Sequence, residues 1–117
     1  MICLAIDMSH CTTPDPEPQA IGEAMHATAK RLGVRVLLDA PAQYPDHGIT
    51  YMMALAESHL VVSTWPEHCM AQIDLVSCRA DTTPEAAIEP LLTLFKPDRT
   101  TIQRIPRLDP RTQSAPA

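Results

Sequence analysis

Aromatic residues, long apolar runs and excess positive charge are all scarce in this 117-residue chain. No apolar run reaches the roughly 18–20 residues that a membrane span requires. Asp and Glu number 14 against 9 Lys and Arg, and the net charge of −5 lacks the basic footprint of a protein that binds nucleic acid or an anionic membrane. The first residues lack the basic segment and small-residue cleavage site of a signal peptide. We therefore expect a cytoplasmic protein without nucleic-acid or membrane partners.

The cysteines show neither of the patterns that usually assign them a role. Cys3, Cys11, Cys69 and Cys78 form no C-x-x-C pair and no zinc-like spacing with the five histidines. The sequence therefore predicts no metal site. We interpret the first three as reduced, buried thiols, while Cys78 is considered below with the motif that it follows.

Apolar periodicity predicts the element order β-α-β-β-β-β-α-β. The predicted strands are 1–8, 34–40, 49–56, 60–64, 70–78 and 100–105, and the predicted helices are 19–32 and 84 to about 95. Connections this short favour an α+β two-layer sandwich, a mostly antiparallel sheet with both helices on one face. A second subunit is the natural cover for the other face. Residues 1–106 are predicted to form a single domain, and the proline-rich stretch 107–117 a disordered tail.

The most informative stretch places Ser58 directly after Glu57, between two strand-like runs. A serine hydroxyl held beside its own preceding carbonyl can attack it, which converts the amide to an ester and can break the chain. His59 follows the serine, and Cys78 lies further downstream. This arrangement makes Ser58 a candidate precursor of a covalent cofactor.

The chain resembles the bacterial and archaeal S-adenosylmethionine decarboxylases, pyruvoyl-dependent enzymes of polyamine synthesis. The matching segments are Tyr44-Pro45-Asp46-His47-Gly48, Ala56-Glu57-Ser58-His59, Thr64-Trp65-Pro66-Glu67, the strand Asp74 to Cys78, and Ile105-Pro106-Arg107. The resemblance implies self-cleavage between Glu57 and Ser58, with Ser58 becoming a pyruvoyl group. A bound ketone forms a Schiff base with the substrate amine and draws electrons from the departing carboxylate. By the same resemblance, Cys78 is the acid that protonates the carbanion.

Substrate contacts follow from the same resemblance. It implies that Tyr44 and Trp65 sandwich the adenine of S-adenosylmethionine and that Glu67 holds the ribose hydroxyls. Stacking of a base on an aromatic face is worth about 1–3 kcal/mol. The chain has only four aromatic residues, and two of them fall on these stacking positions. The resemblance further implies a dimer of processed protomers and a product that donates aminopropyl groups for spermidine synthesis.

The sequence departs from the family pattern at Ser63. The family has a histidine there, which helps remove the proton that drives formation of the pyruvoyl group, and a neutral serine is a poor base at pH 7. The available imidazoles are His59, His47 and His68. Two alternatives stay open: decarboxylation of a basic amino acid such as ornithine or arginine, and an unprocessed homologue with a binding or regulatory role.

Overall fold

The computed structural model describes residues 1–78 and 83–116 and contains six strands and three short to medium helices in that part of the chain. Their bounds are β1 Ile2–Ser9, α1 Pro18–Leu32, β2 Val36–Gln43, β3 Ile49–Leu55, β4 Ser58–Trp65, β5 Met70–Ser77, α2 Pro84–Ala87, α3 Glu89–Phe95 and β6 Arg99–Arg104. Single 3-10 turns lie at Pro66–His68 and Pro110–Thr112. No described helix combines the length and apolar character needed to cross a membrane.

The six strands form one sheet in the order β2-β3-β4-β5-β1-β6, and every neighbouring pair is antiparallel. Alternate residues of β1, β3, β4 and β5 are buried, the pattern of strands with one face on a core. The helices cover that face. The α+β two-layer sandwich predicted from the sequence is confirmed.

Helix α1 supplies much of the core because its apolar residues recur at helical spacing. Ile21, Met25 and Leu32 are at most 1% exposed and pack with the buried strand residues. Burying each such side chain is worth about 1.5–3 kcal/mol. Gly33, at φ 73, ends the helix in the left-handed conformation that glycine adopts without strain.

Proline shapes two other elements. The second predicted helix divides at Ile88 into α2 and α3, and Pro90 lies in the first turn of α3, where its missing N–H is not needed. Strand β2 continues through Pro41, where the sequence predicts a loop. This strand lies at the edge of the sheet, and an edge strand tolerates a residue that cannot donate to the ladder.

The second face of the sheet, which we call the open face, is not covered by any described helix. Met52 is 45% exposed on this face, and its neighbours across the strands are Ala40 and Val61. Leu38, which pairs with Ala54, is 60% exposed. The open face is therefore partly apolar.

The segment after Pro106 turns back toward the start of β1. The N–H of Ile105 donates to the carbonyl oxygen of Cys3 at 2.9 Å, and Asp109 contacts the Met1 ammonium group at 3.1 Å. Disorder of the tail stays a prediction, and Ala117 lies outside the described residues. The single domain over residues 1–106 also stays a prediction.

Candidate active site

The Glu57–Ser58 peptide bond lies at the tip of a tight hairpin. Leu55 at the end of β3 pairs with Ser58 at the start of β4, so Ala56 and Glu57 alone form the turn. The N–H of Ala56 donates to the carbonyl oxygen of Arg35 at 2.8 Å, which ties the turn to the residue just before β2. The peptide bond predicted to be cleaved is thus held at one end of the sheet.

Backbone strain is stored next to this bond. Of the two turn residues, only Glu57 has a positive φ, at 60°. The left-handed region favours glycine and asparagine and costs other residues about 1–2 kcal/mol, because Cβ meets the following carbonyl oxygen. Glu57 is therefore strained directly before Ser58, and a change at the Glu57 carbonyl can relieve that strain.

Ser58 is half-buried and its hydroxyl folds back over the turn. Its Oγ donates to the carbonyl oxygen of Ala56 at 3.1 Å. This places the hydroxyl beside the backbone of Glu57, whose carbonyl carbon is the one that it would attack. The neighbouring His59 is exposed on the open face, between Ala54 and Val76.

Cys78 lies at the same end of the sheet as Ser58 but not on the same face in the intact chain. It directly follows β5, is half-buried, and continues the open-face alternation of that strand. Ser58 instead falls in phase with the buried Leu60 and Val62. The two residues can share a site only after the start of β4 is released from the turn, as cleavage would do.

A cation from the C-terminal segment reaches this end of the sheet. The Arg111 guanidinium contacts the Asp109 carboxylate at 2.7 and 3.0 Å and holds the pKa of that carboxyl well below its usual range. Asp109 chiefly, with Cys78 and Glu57 adding smaller contributions, raises the pKa of Arg111. Arg111 is therefore within electrostatic range of Glu57 in the turn and of Cys78.

The predicted substrate-contact residues lie at the other end of β4. Tyr44 follows β2 in a loop, and its N–H donates to the Gly48 carbonyl oxygen at 3.0 Å. Gly48, at φ 90, passes so close to β4 that a Cβ there would lie 2.7 Å from the Thr64 carbonyl oxygen. The N–H of Ile49 also donates to Thr64 Oγ1 at 2.9 Å. The loop that carries Tyr44 is thus clamped beside the end of β4.

Ser63 lies on the open face in a polar row. It pairs with Thr50 on β3 and Gln72 on β5. The hydroxyls of Thr50 and Tyr44 are hydrogen-bonded at 2.6 Å, so Tyr44 lies one strand from Ser63. This brings Ser63 into the same group as the predicted adenine-stacking residues.

Trp65 and Glu67 complete this second group. Trp65 ends β4 and is 39% exposed, and Glu67 lies in the following 3-10 turn with its side chain exposed. A cavity of about 220 Å³ lies beside the Tyr44–Gly48 loop, smaller than the roughly 300–1,000 Å³ of ordinary ligand pockets. A larger cavity, about 1070 Å³, lies against α1 and α3, and none of the predicted site residues lines it.

Within one chain the two groups are far apart. Ser58 and Trp65 occupy opposite ends of β4, and at about 3.3 Å per residue their Cα atoms are roughly 23 Å apart. Ser63 is likewise roughly 17 Å from Ser58 along the strand. One copy of the chain therefore does not bring the predicted cleavage residues and the predicted substrate-contact residues together.

Sequence reasoning missed two residues at these ends. Thr50 could have been found, because a two-residue turn at Ala56 and Glu57 fixes which residue faces Ser63. Arg111 could not, because the proline-rich composition around it gives no sign that its partner Asp109 contacts the Met1 ammonium group. Among residues 1–78 and 83–116, no group of three His, Cys, Asp or Glu side chains could hold a metal ion.

Comparisons with known proteins identify the family of this chain and agree with its fold. Residues 2–108 match the family model described as S-adenosylmethionine decarboxylase. An S-adenosylmethionine decarboxylase proenzyme from Thermomicrobium roseum is 38% identical over 89 residues, which cover 76% of this chain and 74% of the relative. S-adenosylmethionine decarboxylase proenzyme 2 from Bacillus anthracis is 35% identical over 75 residues, 64% of this chain and 61% of that protein.

A solved structure shows the same fold. The adenosylmethionine decarboxylase of Aquifex aeolicus vf5 superposes with a TM-score of 0.80 at 22% identity, covering 98% of this chain and 96% of that chain.

Fold and junction together define an α+β sandwich protein with a strained Glu-Ser hairpin at one end of its sheet. The chain belongs to the S-adenosylmethionine decarboxylase family, which confirms the resemblance stated from the Glu57-Ser58-His59 and Thr64–Glu67 segments. Its matched stretch spans 61% of the length of the Bacillus relatives.

Proposed function

We propose that this chain is the proenzyme of a pyruvoyl-dependent decarboxylase that acts on S-adenosylmethionine and yields the aminopropyl donor for spermidine synthesis. One observation carries the proposal: Glu57 adopts a left-handed backbone directly before Ser58, in a two-residue turn. Family membership supports the substrate, since the relatives bear this name. We propose further that the enzyme is a cytoplasmic homodimer.

Self-cleavage begins at the turn. Ser58 Oγ bonds to the Glu57 carbonyl carbon, the C–N bond breaks, and the amide nitrogen takes the hydroxyl proton, so that an ester joins the two halves. A base then removes the Ser58 Cα proton and the Glu57 carboxylate leaves. Addition of water to the remaining enamine releases ammonia and leaves a ketone. Strain at Glu57 favours this shift to the ester, because the shift breaks the Glu57–Ser58 amide and so releases the strain.

Strand β4 is a suitable anchor for a cofactor made from Ser58. Its flanking residues pair with both β3 and β5, and Leu60 and Val62 are fully buried. When formed, the pyruvoyl group supplies a ketone that accepts electrons as carbon dioxide leaves a substrate amino acid. Cys78, at the same sheet end, is the residue that we propose donates a proton to the product carbon. Neither role requires a separate cofactor pocket.

Substrate binding requires a second copy of the chain. The roughly 23 Å between Ser58 and Trp65 is spanned if two open faces pack together around a two-fold axis near the middle of β4. That axis places Ser58 and Cys78 of one copy near Tyr44, Trp65 and Glu67 of the other. The exposed apolar side chains of the open face support such packing. Each dimer would then contain two composite sites.

We propose that one of the histidines of this chain is the base for the elimination step, because Ser63 occupies the position of the family's histidine. His59 lies in the same chain as the cleavage turn, next to Ser58. His47 and His68 lie near Trp65, in the Tyr44 loop and in the 3-10 turn, and reach the cleavage turn only from the second copy. Single alanine variants of His59, His47 and His68 distinguish the two routes. Loss of processing in the His59 variant indicates a base in the same chain, and loss in the His47 or His68 variant indicates a base from the second copy.

The proposal is tested by incubating the purified chain and measuring its intact mass. Cleavage predicts two chains, 1–57 and 58–117, with the second about 17 Da lighter than its serine-started equivalent and reactive toward a hydrazine. Carbon dioxide release from carboxyl-labelled S-adenosylmethionine then tests the activity. Ser58→Ala is expected to remain intact and inactive, whereas Ser114→Ala, in the exposed C-terminal segment, is expected to behave as the parent.

Two results contradict the proposal in different ways. A parent chain that stays intact after prolonged incubation contradicts self-processing. A cleaved chain that releases carbon dioxide from ornithine or arginine but not from S-adenosylmethionine contradicts the substrate alone.

A further inference from the structure

Two cysteines outside the proposed chemistry meet where the loop after β1 passes the start of β5. The N–H of Cys11 donates to the carbonyl oxygen of Cys69 at 2.9 Å. Residues joined in this way have Cα atoms about 5–6 Å apart, within the roughly 4.4–6.8 Å that disulfides span. The backbone therefore brings the two cysteines to disulfide-forming distance.

The two thiols differ in their surroundings. Cys11 is 4% exposed within the core, whereas Cys69 is exposed, so the prediction of a buried thiol is confirmed for Cys11 and wrong for Cys69. Burial raises the pKa of the Cys11 thiol, Cys69 raises it further, and the backbone of Ala71 opposes the shift. The Cys11 sulfur thus lies near the start of β5, within electrostatic range of Cys69. The exposed Cys69 thiol is accessible to an oxidant, and the buried Cys11 thiol lies beside it.

We propose that Cys11 and Cys69 form a reversible disulfide, a modification site that joins the two chains produced by cleavage after Glu57. The disulfide itself does not require cleavage; only its role in joining two chains rests on the proposed function. Cys11 belongs to the upstream chain and Cys69 to the downstream chain. Cys69 also ends the 3-10 turn that carries Glu67, with its N–H donating to the Pro66 carbonyl oxygen at 3.0 Å. The bond therefore pins that turn to the loop after β1.

The oxidant is a peroxide. The Cys69 thiolate attacks a peroxide oxygen, takes up that oxygen as a sulfenic acid, and the second oxygen leaves as water or an alcohol. Cys11 then attacks the Cys69 sulfur, the S–S bond forms, and the sulfenic oxygen leaves as water with the thiol proton. Two electrons pass from the two sulfurs to the peroxide. A thiol reductant reverses the bond, which partial exposure makes accessible.

The test uses the full chain, treated with hydrogen peroxide and then alkylated. Without reductant, chains 1–57 and 58–117 are expected to run as one band on a denaturing gel, and with reductant as two. A peptide map is expected to link Cys11 to Cys69, and the midpoint of thermal unfolding is expected to rise by about 5 °C or more. Cys69→Ser is expected to abolish the link, and the matched variant Cys3→Ser to retain it.

If the chain is not cleaved, the peptide map still decides, because an intramolecular link lowers the intact mass by about 2 Da without joining chains. Three results overturn the proposal: Cys69 fully alkylated after oxidation, a link that uses Cys3 or Cys78, or Cys69 joined only to Cys69 of another copy.

Discussion

The two ends of β4 differ in how they are built. At the Ser58 end, the main feature is backbone: a two-residue turn with Glu57 at φ 60 and a hydroxyl folded over it. At the Trp65 end, the main features are side chains: Tyr44 hydrogen-bonded to Thr50, and an aromatic ring and a carboxylate left exposed. The first end is suited to break its own chain, and the second to contact a ligand.

This difference explains why one chain cannot be the whole enzyme that we propose. A strained junction acts on itself and needs no partner for the first acyl shift. An exposed ring and carboxylate, roughly 23 Å away, can contribute to the same reaction only from a second copy. Because the two ends of β4 have different roles in the proposed enzyme, variants at opposite ends are each expected to fail alone and to complement each other.

The largest expected effect comes from breaking each end in a separate copy. Ser58→Ala alone is expected to show no cleavage, and a Trp65→Ala, Glu67→Gln double variant to be cleaved but to bind S-adenosylmethionine at least about tenfold more weakly. Mixed dimers isolated after co-expression of the two variants are expected to show about one half of the parent activity, because one of their two composite sites is intact. Carbon dioxide release from isolated mixed dimers is the measurement.

The control for complementation places both lesions in one copy. A triple variant co-expressed with the parent also leaves mixed dimers, but there each site carries one lesion and those dimers are expected to be inactive. If each chain instead forms its own site, the result is reversed: the mixed dimer of the two separate variants is inactive, and the mixed dimer of triple variant and parent keeps about one half of the parent activity.

A second substitution sharpens the comparison by restoring a base to the Trp65 end. Ser63→His is expected to speed processing by about 100-fold, because a positioned general base contributes roughly 10²–10⁴-fold. The change acts on Ser58 of the other copy if the site is composite. Appearance of chain 58–117 on a reducing, denaturing gel gives the rate. Ser114→His is the control, and an unchanged rate in Ser63→His would place Ser63 outside the processing site.

Sequence reasoning predicted the sheet and the junction between β3 and β4, since both rest on local patterns. The residues of the two groups came from the family resemblance, and their roles stay a prediction. The alternation of β4 and β5 and the helical spacing of Ile21 and Met25 can be read from residues that are close together in the sequence. What it could not give was the distance between the groups. The length of a strand is readable, but which ends meet depends on packing of a second copy, which no local pattern records.

The extension of β2 and the contact of Arg111 were missed for related reasons. Pro41 predicts a loop unless its strand is known to lie at a sheet edge, and edge position is a property of the whole sheet. Arg111 lies at the Ser58 end of the sheet because its partner Asp109 also contacts Met1, which is far away in sequence.

A third variant removes the strain that distinguishes the Ser58 end. Glu57→Gly is expected to slow cleavage about fivefold, since glycine adopts a positive φ without the roughly 1 kcal/mol penalty of a Cβ. The same relief is expected to stabilise the uncleaved chain by about 0.5–1 kcal/mol. Cleavage rate and urea unfolding of the Ser58→Ala background measure the two effects separately.

The matched control for strain is Lys96→Gly. Lys96 also has a positive φ, of 50°, but caps α3 on the helix layer. It is expected to gain similar stability with no change in cleavage rate. Slower cleavage in both variants would mean that global stability, rather than local strain, sets the rate.

The smallest expected effect concerns the cation at the Ser58 end. Arg111→Ala is expected to change the rate of Cys78 alkylation by a neutral reagent about two- to threefold, because an exposed charge acts through solvent and is screened by salt. Arg111→Lys is expected to keep most of the parent rate, and Arg107→Ala, in the preceding segment, all of it. An equal change in the Arg107 variant would assign the effect to net charge.

The pH dependence of this contact follows from Asp109. Its pKa is held well below the ordinary 3.8, chiefly by hydrogen bonds from Arg111, so the ion pair is formed at neutral pH. A lowered carboxyl pKa stabilises the attached segment fully above 3.8, and this stabilisation is lost as the pH falls toward the folded-state pKa. The ratio of the parent rate to the Arg111→Ala rate of Cys78 alkylation, taken at each pH, is therefore expected to stay constant from pH 8 down to about 5. A ratio that moves to one between pH 8 and 5 would mean that groups other than Asp109 hold the guanidinium at this end of the sheet.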